Sequence, residues 1–128
     1  MKSVVICGSA KFKQAAREFA DELEKAGLTV YKPFYNTNQE IFKLNPDLKE
    51  FAFNGLVRHH MDYIRKADVC FIYNEKGYVG NSTLIEIGFA TALNKPIYAL
   101  EQIISDPLIA VLIDEVIPTA EGLIKKLK

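Results

Sequence analysis

The sequence predicts a three-layer α/β/α fold on a parallel sheet of about five strands. Two observations carry that prediction. Short, continuous apolar runs recur along the chain, as strands buried on both faces require. Between them lie segments with apolar residues three and four apart, so strands alternate with amphipathic helices, the pattern of β-α-β crossovers.

Each element can be justified in turn. Residues 3–7 form an apolar strand stopped by Gly8-Ser9, and Phe12, Ala15, Ala16, Phe19, Ala20 and Leu23 then mark a helix over 11–26. Gly27 is a natural stop for it. Residues 28–32 give a second strand, ended by Pro33, and a right-handed crossover makes it parallel to the first. Residues 34–45 hold aromatics and asparagines without a period and read as a loop or lid, with 34–53 the span that would fold over a site.

A helix is predicted over 46–66, with Leu48, Phe51, Ala52, Leu56, His60 and Ile64 along one face and Gly55 as its weak point. Residues 68–73 (DVCFIY) are the third strand and 74–80 a glycine-bounded loop. A helix follows to about Leu93, then Asn94-Lys95-Pro96 and a fourth strand over 97–100. Asp106-Pro107 opens a short helix to about Leu112, 115–117 is a small strand, and Ala120, Leu123, Ile124 and Leu127 mark a closing helix. The predicted strand order is the flavodoxin-like 2-1-3-4-5, a doubly wound, Rossmann-like sheet. Ligands of such sheets sit outside the carboxyl ends of the strands at the switch point, here the loops after strands one and three.

Composition narrows the function. The chain has 128 residues, one domain's worth, of which 49% are hydrophobic. Lys and Arg number 16 and Asp and Glu 16, interleaved throughout, which argues against a nucleic-acid polymer or an anionic membrane as partner. Cys7 and Cys70 sit in apolar runs without CxxC spacing and read as buried thiols of a reducing compartment. The start of the chain is too short an apolar run for a signal peptide, so the expectation is a cytoplasmic single domain.

Two segments can carry chemistry. At Gly8-Ser9-Ala10-Lys11, small residues between strand and helix let backbone approach a ligand, or Ser9 simply caps the helix. The segment is neither GxGxxG nor GxxxxGK[ST], and no cofactor is implied. In the second segment, Gly77-Tyr78-Val79-Gly80-Asn81-Ser82-Thr83 leads into a helix expected to carry Glu86 in its first turn. Backbone N–H groups and the Ser82 and Thr83 hydroxyls suit a phosphate or sugar, and Glu86 near a helix start would stay ionised, as a nucleophile must. The competing reading is Thr83-x-x-Glu86 as a capping box, in which the glutamate only ties off the helix.

The stretch Gly80-Asn81-Ser82-Thr83-Leu84-Ile85-Glu86-Ile87-Gly88-Phe89-Ala90, followed by Lys95-Pro96, resembles the nucleoside 2-deoxyribosyltransferase superfamily, which includes deoxynucleoside 5'-monophosphate N-glycosidases. Val4-Val5-Ile6-Cys7-Gly8-Ser9 and Ile64-Arg65-Lys66-Ala67-Asp68 match the same family, so the likeness spans about residues 4–100. The resemblance implies that Glu86 attacks the anomeric carbon of a nucleoside and forms a covalent glycosyl-enzyme, which a base or water resolves. It also implies a homo-oligomer. Many members carry aspartates where this chain has Gly80 and His60. Asp62 does not replace the latter, because two positions along a helix turn a side chain about 200° away.

His60 shares a face with Leu56 and Ile64, so it is either a core histidine or a proton donor to a departing base. His59 points elsewhere and reads as solvated. A metal site from His59, His60 and the two cysteines is not expected, because adjacent histidines on a helix diverge and no carboxylate cluster joins them. Lys11, Arg58 and Lys76 are either phosphate ligands or ordinary surface cations, and Tyr78 either stacks on a base or is an exposed loop aromatic. The function expected is cleavage or transfer at the N-glycosidic bond of a nucleoside or its 5'-monophosphate. The alternative is a nucleotide-binding sensor without catalysis.

Overall fold

The strands β1 (Val4–Cys7) and β3 (Val69–Ile72) are buried along their whole length, which only a central position with both faces covered allows. The computed structural model describes residues 2–33 and 38–128. Its sheet is entirely parallel, with β2 (Val30–Tyr31) and β3 flanking β1, then β4 (Ile97–Ala99) and β5 (Glu115–Val116), in the order 2-1-3-4-5. The switch point lies between β1 and β3, where Cys7 pairs with Ile72.

Alternation along β1 splits the core in two. Val4 and Ile6 join Phe71 under α1 (Lys13–Lys25) and α6 (Ala120–Leu127), where Phe19 stacks on Phe71 at 4.7 Å. Val5 and Cys7 join Cys70 and Ile72 on the other face, beneath Ile64 of α3 (Pro46–Lys66) and Ile87 of α4 (Asn81–Ala92). Burying each such side chain contributes about 1.5–3 kcal/mol.

Local chemistry sets the helix limits. The Asn45 side chain accepts from Leu48 N at 3.0 Å and Pro46 occupies the first turn, so α3 starts there. Gly55 does not break it, and a Cβ there would meet nothing within 4 Å. The first helix opens with a 3₁₀ turn, Ala10–Phe12, capped by Ser9. The short helix after β4, α5 (Pro107–Ala110), stops sooner than the expected 112, and β5 is two residues long.

Of the expected loop or lid, residues 34–37 lie outside the described part. Residues 38–42 form a short helix, α2 (Asn38–Phe42), beside α3, which corrects the reading of 34–45 as wholly irregular. Among the described residues no helix is long and apolar enough to cross a membrane.

Candidate active site

Glu86 lies in the second turn of α4, because the helix begins earlier than the Thr83-x-x-Glu86 pattern suggests. Gly80 takes the cap position in extended backbone, with no side-chain cap, and Thr83 is buried within the helix. The capping-box reading is therefore corrected, as is the placement of Glu86 in the first turn. Freed from the helix start, Glu86 faces α3.

There it meets His60. Nε2 of His60 is 3.2 Å from Oε2 of Glu86, with side-chain exposures of 10% and 15%. Sγ of Cys7, at the carboxyl end of β1, lies 3.4 Å from the same Nε2. Three residues far apart in sequence thus converge at the switch point.

Burial governs the electrostatics of the pair. Loss of water pushes the Glu86 carboxyl up to about 8. Loss of water, helped by the neighbouring His59, pushes the His60 imidazole down to about 4. Between those limits the two groups carry one proton between them, and it rests on the Glu86 carboxyl with the His60 ring neutral. The Cys7 thiol is pushed well up by its hydrogen bond with Cys70, by burial and by Glu86, so it stays protonated. His60 Nδ1 is buried without a hydrogen-bond partner among the described residues, which leaves Nε2 as the nitrogen engaged.

A cavity of about 170 Å³ opens beside the pair, lined by Pro33, Leu56, Val57, His59, Tyr63 and the two titrating residues. His59 is exposed, as expected, and it also lines this cavity, with its ring edge-on to Tyr63 at 4.4 Å. Larger grooves exist, but they lack this chemistry. One of about 520 Å³ includes Asn94, Lys95 and Pro96, which precede β4 at the opposite end of the sheet.

The other candidate residues gather elsewhere. Gly8 is where backbone packs on backbone: a Cβ there would stand 2.6 Å from the Tyr73 carbonyl oxygen. The Lys11 ammonium lies 4.4 Å over the Tyr78 ring, and Phe12 meets that ring edge-on. Asn81 and Ser82 are exposed at the start of α4. Arg58 donates to Asn54 Oδ1 at 2.6 Å and lines a separate groove of about 690 Å³ along α3, which shares Val57 with the Glu86 cavity. Asp62 pairs with Arg65 on the surface.

Two residues with structural weight escaped the sequence reading. Asn74, fully buried, donates to Glu101 O at 2.9 Å and accepts from Glu101 N at 3.0 Å, so it ties the loop after β3 to the loop after β4. Cys7 was legible only as a buried thiol. Its position immediately before Gly8 at a strand end was the available signal.

The protein is thus a small α/β protein on a doubly wound parallel sheet, with a buried carboxylate–imidazole pair at the carboxyl rim, where such sheets bind their ligands. The nucleoside 2-deoxyribosyltransferase family model matches residues 4–111, and the chain belongs to that family. Among solved structures, a 2-deoxyribosyltransferase from the psychrotolerant bacterium Bacillus psychrosaccharolyticus is similar, with 17% identity and a TM-score of 0.68 over 94% of this chain and 89% of that one. A conserved protein from Enterococcus faecalis V583 is similar with 14% identity and a TM-score of 0.64, over 99% and 97% of the two chains. No curated protein matches.

Proposed function

We propose that this protein cleaves or exchanges the N-glycosidic bond of a nucleoside or its 5'-monophosphate through a covalent glycosyl-Glu86 intermediate, with His60 as the proton carrier. The observation that carries this reading is the 3.2 Å approach of His60 Nε2 to Glu86 Oε2 beside a cavity at the switch point. Family membership supports the chemistry. So does the Bacillus relative, described as a biocatalyst for the synthesis of antiviral and antitumoral nucleosides.

The shared proton gives the pair its two roles. A protonated Glu86 cannot attack, so its proton first passes to His60 Nε2. One carboxylate oxygen then bonds to the anomeric carbon as the carbon–nitrogen bond breaks, and the electron pair leaves with the base. His60 returns the proton to that base. In the second half, water or an incoming base attacks the same carbon, the ester to Glu86 breaks, and His60 takes up the acceptor's proton. A 2-deoxy sugar suits this route, because it lacks the hydroxyl that would withdraw electrons from the oxocarbenium-like transition state.

The test is turnover of a panel of deoxy- and ribonucleosides and their 5'-monophosphates, with and without a free acceptor base, read by chromatography for released or exchanged base. Glu86-dependent release supports the proposal, and acceptor dependence separates transferase from hydrolase. No turnover, with a nucleotide-dependent rise in melting temperature, would instead establish a binding module.

A further inference from the structure

Cys7 supplies a third donor to the His60–Glu86 pair. One thiol sulfur, one imidazole nitrogen and one carboxylate oxygen all lie within 4.8 Å of one another. In a tetrahedral zinc site, with bonds of about 2.3 Å to sulfur and 2.0–2.2 Å to nitrogen and oxygen, donors stand about 3.3–3.8 Å apart. The S–N separation of 3.4 Å lies within that spacing, and the N–O separation of 3.2 Å falls just short of it. The sulfur and the carboxylate oxygen, within 4.8 Å of each other, would have to close to that spacing as a metal bound.

Each donor sits on a different element (the end of β1, the interior of α3 and the second turn of α4), so the fold fixes the set. The 170 Å³ cavity reaches two of the three donors, His60 and Glu86, from which side a fourth ligand would enter a site with three protein ligands. The donor types choose the metal. Sulfur and imidazole disfavour magnesium and calcium, which take oxygen ligands, and favour a borderline cation of the zinc type. A thiolate and a carboxylate together also cancel its charge, which matters at a buried site.

We propose that Cys7, His60 and Glu86 bind a zinc-type divalent cation, and that the bound cation withdraws the Glu86 carboxylate from glycosyl transfer. Binding releases the Cys7 thiol proton and the proton held by the His60–Glu86 pair to solvent, leaving one sulfur, one nitrogen and one oxygen bond to the metal. The metal site stands on geometry alone. The inhibitory consequence rests on the proposed function.

The test is titration of Co²⁺ alone into protein first stripped with a chelator and then freed of it. A thiolate-to-cobalt charge-transfer band and visible bands of tetrahedral intensity should saturate at one equivalent, and Zn²⁺ should displace the cobalt. Cys7→Ser should lose the charge-transfer band, and Glu86→Gln should weaken cobalt binding at least about tenfold. Cys70→Ser should keep the band, although Cys70 hydrogen-bonds the Cys7 thiol.

Absence of the band, its persistence in Cys7→Ser, or its loss in a folded Cys70→Ser would overturn the site. Melting curves in metal-free buffer establish that each variant folds. Should Cys7→Ser not fold, His60→Ala and Glu86→Gln carry the same test through loss of the visible bands. Turnover that Zn²⁺ leaves untouched, despite cobalt binding, would overturn the inhibitory half. Cobalt binding without turnover of any nucleoside leaves the metal site standing and removes the glycosyl-transfer reading.

Discussion

Nε2 of His60 stands 3.2 Å from Oε2 of Glu86, linking α3 to α4 across the carboxyl end of the sheet. The contact joins a base that burial keeps neutral to an acid that burial keeps protonated. At neutral pH the protonated carboxyl departs from its usual charge state and the neutral imidazole does not, so the pair holds one proton, on Glu86.

Removing either partner should separate their roles. Glu86→Gln should lower kcat by about 10⁴-fold or more, the scale of losing a nucleophile. His60→Ala should lower it by about 10²–10⁴-fold, the scale of general acid–base catalysis. Steady-state kinetics on protein shown by circular dichroism to be folded measures both.

The rate should follow a bell-shaped pH profile in chelator-treated protein. Below about 4 both groups are protonated, and above about 8 the pair has lost the proton that the leaving base needs. The profile of kcat/KM, which reports the free enzyme, therefore falls on both limbs. A rate that keeps climbing through pH 8 would show a carboxylate acting without its acid.

Stability should carry the same signature in metal-free protein. Glu86 binds its proton more tightly folded than unfolded, so its contribution is full below about 4.5 and is lost as pH rises to about 8. His60 is the reverse, contributing fully above about 6.5 and losing that contribution as pH falls toward 4. The two offset each other between 4.5 and 6.5. From pH 6.5 to 8 only the Glu86 decline remains, about 2 kcal/mol. Denaturant unfolding at several pH values should show it in wild type and a flatter response in Glu86→Gln.

The rim loops make a further prediction. Asn74→Ala strands both backbone groups of Glu101 that it now satisfies, and should cost about 2–4 kcal/mol. Gly8→Ala should be costly as well, because the added carbon would stand 2.6 Å from a backbone oxygen that cannot swing away. Chemical denaturation checks both, with Gly55→Ala as the contrast: it meets open space and should be neutral or stabilising.

Much of this architecture was written in short-range patterns. Four apolar runs separated by helical periods pointed to a parallel doubly wound sheet, whose common flavodoxin-like order is the one observed. The small-residue loop before Glu86 pointed to the rim where the candidate site lies. What the patterns missed depends on contacts across the fold. The Thr83-x-x-Glu86 spacing fits a capping box, yet Gly80 in extended backbone starts the helix sooner and turns Glu86 toward α3. Cys7 and His60 are 53 residues apart, so no local spacing joins them. Asn74 looks like any loop asparagine until the loop after β4 supplies its partner. Arg58 is one of many cations in the sequence, and only the folded helix shows it bonded to Asn54 and lining the neighbouring groove, not the Glu86 cavity.

The most direct measurement is intact-protein mass spectrometry after rapid quenching of a deoxynucleoside reaction, followed by peptide mapping. The account predicts a deoxyribosyl adduct on the peptide containing Glu86, absent in Glu86→Gln and discharged by water or an acceptor base. Base release with no adduct at any quench time, or an adduct that Glu86→Gln retains, would contradict it.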